Sequence, residues 1–152
     1  MLSQAGILPG RIPSSLIGLN WKPSEAWQTN IQYSYQRHAN SYANIGDAQR
    51  APRDLLNTTL QWTPAPSWSV YLNALGVADR SRVPGDTRPD PPNYALANFA
   101  LRKSWPGNFS ARLRVSNLLN HQINDPSDSR AALPDDVPEP GRTWRVELTK
   151  AF

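Results

Sequence analysis

Fifteen prolines punctuate this 152-residue chain, and all of them fall between or outside seven windows of about ten residues. Proline has no N–H to give to a ladder, so these windows mark where strands can run. They span residues 14–22, 26–36, 54–63, 67–78, 93–104, 109–118 and 142–152. None carries apolar residues at sustained helical spacing, which predicts an all-β chain.

Within the windows, side chains alternate. Trp27, Thr29, Ile31, Tyr33 and Tyr35 oppose Gln28, Asn30, Gln32, Ser34 and Gln36. Phe109, Ala111, Leu113 and Val115 oppose Ser110, Arg112, Arg114 and Ser116, and the window at 93–104 repeats the pattern less cleanly. The last window sets Trp144, Val146, Leu148, Lys150 and Phe152 against Thr143, Arg145, Glu147 and Thr149. Such alternation gives each strand an apolar and a polar face. The polar faces hold too much Arg, Gln and Asn for a dry core.

The connections alternate as well: 22–26, 64–66 and 106–108 are short, whereas 37–53, 79–92 and 119–141 are long and rich in Pro, Asp, Asn, Ser and Arg. Short turns at one end and long loops at the other belong to an up-and-down meander, and especially to an outer-membrane barrel. Tryptophan sharpens this. Trp21 and Trp27 bracket the first short turn, Trp62 and Trp68 the second with the same W-x-P-x-x-x-W spacing, and Trp105 and Phe109 the third. The pairs recur about every 41 residues, and Phe152 ends the last strand on the same side. An amphipathic ring is favoured where hydrocarbon meets water, so these seven aromatics read as an interface belt.

Mean hydropathy is −0.58 and no run is apolar enough for a membrane helix, but strands that alternate average out to a polar score. The opening residues lack the basic start and apolar run of a signal peptide. Without cysteine there is no disulfide framework and no thiolate metal site. A net charge of +4, not gathered into a stripe, argues against nucleic-acid binding.

Nothing in the inventory calls for catalysis, a cofactor or a metal. His38 and His121 lie in or beside long loops and read as solvated, with a haem- or metal-contacting role as the weaker alternative. Asp125, Asp128, Asp135, Asp136 and Glu139 lack the spacing of a calcium loop and are expected to be solvated. Arg102, Arg112, Arg114, Arg145 and Glu147 fall on polar faces, where a barrel would turn them to its lumen. Their first reading is a solvated wall with Glu147 balancing arginines; contact with an anionic solute is the second. Three other architectures compete. A β-propeller has a similar repeat but needs four strands in each. A soluble β-sandwich ligand-binding module would not concentrate tryptophan at one end of each hairpin. A multi-chain adhesin-type barrel anchor would require a helical stalk upstream.

Residues 94–102 (YALANFALR), the turn at 105–108, and Asn117-Leu118-Leu119-Asn120 followed by Pro140-Gly141-Arg142-Thr143 and a final strand ending in Phe152 resemble the closing part of TonB-dependent outer-membrane receptors. The resemblance is specific over 93–152 and generic before it. Leu119 stands where the family commonly has an aromatic residue, and Lys150 where an aromatic or apolar one is frequent. The resemblance implies that residues 1–152 are the C-terminal segment of a 22-stranded barrel. It implies an outer-membrane location in a Gram-negative bacterium and energised uptake of a scarce solute such as a ferric siderophore. It further implies partners: membrane lipid, the remaining strands, a plug domain that contacts the TonB complex, and the outer-membrane assembly machinery. That machinery would read the terminal strand (Trp144, Val146, Leu148 and Phe152). Seven strands are fewer than any single-chain barrel holds, so the chain is expected to be a fragment that does not transport by itself.

Overall fold

The computed structural model describes residues 14–36, 52–82, 86–127 and 135–152. Strands β1 (Ser14–Ser24), β2 (Trp27–Gln36), β3 (Asp54–Ala65), β4 (Trp68–Ala78), β5 (Tyr94–Trp105) and β6 (Phe109–Ser116) follow in order. After the short strands β7 (Asn124–Asp125) and β8 (Val137–Pro138) comes β9 (Thr143–Lys150). The seven long strands form one antiparallel sheet in the order β1-β2-β3-β4-β5-β6-β9, and β7 pairs only with β8. This is the expected all-β up-and-down meander, with each window holding a strand. The sheet is open: β1 and β9 each pair on one side only among the described residues.

Two strands run further than the proline-free windows, because β1 includes Pro23 and β3 includes Pro64. The ladder accommodates both through a shift of register, between Trp21 and Ser24 in one hairpin and between Trp62 and Ala65 in the next. A bulge takes the missing N–H out of the pairing. The identical placement explains why W-x-P-x-x-x-W repeats. The third turn closes differently, with positive φ at Gly107 and Asn108, which those residue types tolerate. The small β7–β8 pair was not foreseen; two-residue strands, one of them half proline, leave no periodic signal.

Directly paired residues share a face, so the register fixes both faces of the sheet. One face carries Ile17, Leu19, Trp21, Ile31, Leu60, Trp62, Val70, Leu72, Phe99, Leu101, Leu113, Val146 and Leu148 in unbroken adjacency. No second layer covers it among the described residues. Leu19, Trp21, Trp144, Val146 and Leu148 are exposed, and among the described residues the buried hydrophobic side chains are Val77, Val115 and Ile123.

Candidate functional site

The aromatic belt does not lie along one row of paired residues. Trp21 shares its row with Thr29, Leu60, Leu72, Phe99 and Val115, whereas Trp27 pairs with Trp62 one row lower. Trp68 lies in the next row, opposite Lys103, and Trp105 pairs with Phe109 in the row after that. From β1 to β6 the belt therefore descends six residues, about 20 Å along the strands, while crossing five strand spacings, about 24 Å. A line at that slope is level when the strands tilt by about 40°, within the about 35–45° of membrane barrels. The expectation of a single height becomes a diagonal on the sheet, for this geometric reason. Within it Trp27 stacks on Trp62 with ring centroids 5.2 Å apart, and Trp105 meets Phe109 at 5.3 Å. Phe152 lies two residues past the end of β9, beneath the Lys150 ammonium at 5.2 Å, and the Ala151 N–H donates to the Asn108 carbonyl.

A second aromatic group on the same face escaped the sequence reading. Tyr35 lies eight residues beyond Trp27 on β2, and Trp144 eight residues before Phe152. At the derived tilt, eight residues correspond to about 20 Å of height, near the about 25 Å apolar band of such barrels. Tyr33 completes this upper group, and its hydroxyl donates to the Asp54 carboxylate. The equal spans at the two ends of the sheet were a legible signal.

The polar face divides in two. Across its middle runs a chain of amides. Asn73 donates to Asn57 (2.6 Å), Asn98 donates to Asn73 (3.2 Å), and the Asn117 backbone N–H donates to the Asn98 side-chain oxygen (3.1 Å). Towards β9 the face becomes cationic. Arg102 lies directly opposite Arg112, and Arg114 directly opposite Arg145. Like charges in directly opposed positions destabilise a sheet. Glu147 is the one carboxylate among them, 3.6 Å from Arg112 and 3.1 Å from Arg145. The structure thus brings together all five sequence-predicted polar-face residues. Arg102, Arg112 and Arg114 line a concavity of about 480 Å³ with Ser69, Tyr71 and Asn98. Four guanidiniums against one carboxylate leave this wall able to bind an anion.

At the long-loop end two of the acids expected to be solvated, Asp125 and Asp136, are held by arginines. Arg80, itself buried, pairs with Asp125 at 2.9 Å, and Arg82 holds both oxygens of Asp136 at 2.8 and 2.6 Å. Arg88 binds Asp86 at 2.6 Å and also donates to the Ser127 hydroxyl and carbonyl. Three arginines of the 79–93 connection thus fasten three aspartates and the 117–142 loop into one clamp. Alternating signs, invisible to spacing rules, meet because the two loops leave adjacent hairpins. Asp135 and Glu139 are exposed, as is His121, whereas His38 and Asp128 lie outside the described residues. No group of metal-ligating residues occurs among the described residues.

The Arg88 hydrogen bonds hold the Asp86 carboxyl down to about 2, against the opposing effect of burial. The Arg82 hydrogen bonds likewise hold Asp136 below the ordinary carboxylate range. A depressed carboxylate stabilises the fold above its ordinary pKa, and that contribution is lost as pH falls through the depressed value. The clamp is expected to hold at pH 5 and to loosen between about pH 4 and pH 2. Pepsin, active across that window, should begin to nick the 79–93 and 117–142 connections there. Loops equally resistant at pH 2 and pH 4 would show that these pairs do not hold them.

No protein-family model and no curated protein sequence matches the chain. Among solved structures, it is similar to a mutant of the ferric enterobactin receptor PfeA from Pseudomonas aeruginosa, with a TM-score of 0.68 and 18% identity over 90% of this chain. It is also similar to the copper transporter OprC, with a TM-score of 0.62 and 19% identity over 93% of this chain. The chain spans 22% and 24% of the lengths of those two proteins. At such identities the likeness is one of fold.

Proposed function

We propose that this chain is the C-terminal β-barrel segment of a TonB-dependent outer-membrane receptor, with its apolar face against lipid and its polar face towards the lumen. The observation that carries the reading is the aromatic belt, whose slope across the sheet becomes level at a barrel's strand tilt. The fold shared with PfeA and OprC supports it independently. By name, one is a receptor for ferric enterobactin and the other a transporter of copper, which favours a scarce metal-bearing solute here too. The arginines at 102, 112, 114 and 145 would face an anionic part of that solute. Energised transport would need the remaining strands and a plug in contact with the TonB complex, so residues 1–152 alone are not expected to transport.

On this reading Phe152 is both a belt residue and the end of the strand read by the assembly machinery. The test is cell fractionation of the polypeptide that carries this chain, with and without Phe152. The intact form is expected in the outer-membrane fraction. Deleting Phe152 should reduce the inserted amount several-fold, with the remainder degraded or aggregated. A soluble, monomeric, cooperatively melting protein in the absence of detergent would overturn the membrane reading, and unchanged insertion would overturn the role of Phe152.

A further inference from the structure

Two lysines interrupt the otherwise apolar face at its short-turn end. Lys103 occupies the row of Trp68, and Lys150 the row of Trp105 and Phe109. Both are therefore in the aromatic belt, not in the middle of the face. Neither is left to a carboxylate. The Lys103 ammonium donates to the Ser67 hydroxyl at 2.8 Å and sits 4.5 Å above the Trp68 ring, while Lys150 sits above Phe152. Among the described residues no acidic side chain pairs with either one. An ammonium has three N–H donors, so Ser67 orients Lys103 and leaves donors for another oxygen. Beside Lys103 a groove of about 380 Å³ opens on the apolar face, between Trp68, Leu101, Trp105, Leu113 and Val146. Lys103 and Arg112 are the charged residues of its lining, and the rest is hydrocarbon and ring.

We propose that this end of the sheet binds an anionic phospholipid, with the headgroup phosphate on Lys103, one acyl chain in the adjoining groove, and Lys150 adding attraction from the neighbouring strand. Charge complementarity and an apolar seat contiguous with a fixed cation select this occupant over a protein segment. A partner strand would need an unpaired edge, and this groove lies on the face of paired strands. The inference rests on the membrane reading above. A lysine near a lipid surface contributes about five-fold in affinity for anionic lipid, so the pair should contribute about 25-fold.

The test uses the polypeptide carrying this chain, extracted from the outer membrane in a mild nonionic detergent. It is titrated with phosphatidylglycerol or with phosphatidylcholine of the same acyl chains, and bound lipid is counted by native mass spectrometry. Wild type is expected to retain phosphatidylglycerol selectively. K103Q should bind it about five-fold more weakly and K103Q/K150Q about 25-fold more weakly. K22Q removes a cation from the same end of the sheet, but one paired with Glu25 at 2.8 Å, and should change nothing. Equal retention of the two lipids, unchanged binding in the double variant, or an equal loss in K22Q would overturn the site. Recovery of the polypeptide in the soluble fraction would instead overturn the membrane reading on which the site depends.

Discussion

Leu72→Arg is expected to cost about 2–4 kcal/mol of folding stability in a bilayer, whereas Thr59→Arg, one row away on the other face, should cost less than about 1 kcal/mol. Leu72 lies on the apolar face between Leu60 and Phe99, four residues above Trp68 on β4. At the derived tilt that is about 10 Å above the belt, near the middle of the band, where an arginine cannot reach water without distorting lipid or strand. Thr59 lies on the polar face between Asn30 and Asn73, where a long cation has amide neighbours and solvent. The measurement is the urea midpoint of the lipid-inserted form, alongside the yield recovered from the outer membrane. A sandwich, with its apolar face packed and its polar face in water, would show the same contrast without lipid, so the membrane reading requires the contrast in the lipid-inserted form. Equal penalties at both positions would mean that both faces pack against protein.

Much of this arrangement could be read from the sequence because, on the proposed membrane reading, each strand must satisfy two independent periodicities. The two-residue alternation assigned Arg112, Arg114, Arg145 and Glu147 to one face and Leu113, Val146 and Leu148 to the other, and the ladder keeps them there. Proline spacing placed the seven long strands, failing where a bulge absorbs Pro23 and Pro64 and at the short β7–β8 pair. What the sequence could not supply is register. Without it the tryptophans read as one row of the sheet, when they descend a diagonal across it, and the direct opposition of Arg102 to Arg112 and Arg114 to Arg145 is invisible. Loop partners are harder still. Arg82 reaches Asp136, 54 residues away, because both connections leave the same end of neighbouring strands. Only the folded hairpins bring those charges together. A composition-level view of acidic loops as solvated therefore missed a clamp in which Arg82 and Arg88 share Asp86 and Asp136 and Arg80 holds Asp125.

Asn117→Ala is expected to cost about 2–4 kcal/mol, the largest effect of any single truncation outside the apolar face. Asn117 is 4% exposed and adopts φ of 51°. Its side-chain amide donates to the His121 carbonyl at 2.8 Å, and its side-chain oxygen accepts the His121 N–H at 2.9 Å. Its backbone N–H ends the amide chain at Asn98, so the polar wall and the last loop meet at this residue. Alanine would forfeit both side-chain bonds, each about 0.5–1.5 kcal/mol, and would hold a left-handed backbone that asparagine tolerates better, at about 1 kcal/mol more. Asn117→Gly separates the two contributions: it relieves the backbone and still loses the bonds, so it should fall about 1 kcal/mol short of the alanine penalty. The effect should not stay local. Asn120, also at positive φ, accepts the Arg142 N–H at 3.0 Å, and a Cβ on Gly141 would meet the Asn120 side-chain oxygen at 3.2 Å. The Asn-Leu-Leu-Asn turn thus sets where the chain enters β9, and β9 pairs with β6 from Thr143 onward. Hydrogen exchange at Thr143, Trp144 and Arg145 is the discriminating readout. Loosening Asn117 should speed exchange at these first β9 amides more than at Thr149 or Lys150, where pairing with Ser110 and Phe109 begins from the opposite end. If both ends of β9 respond equally, the turn contributes general stability and does not position the strand.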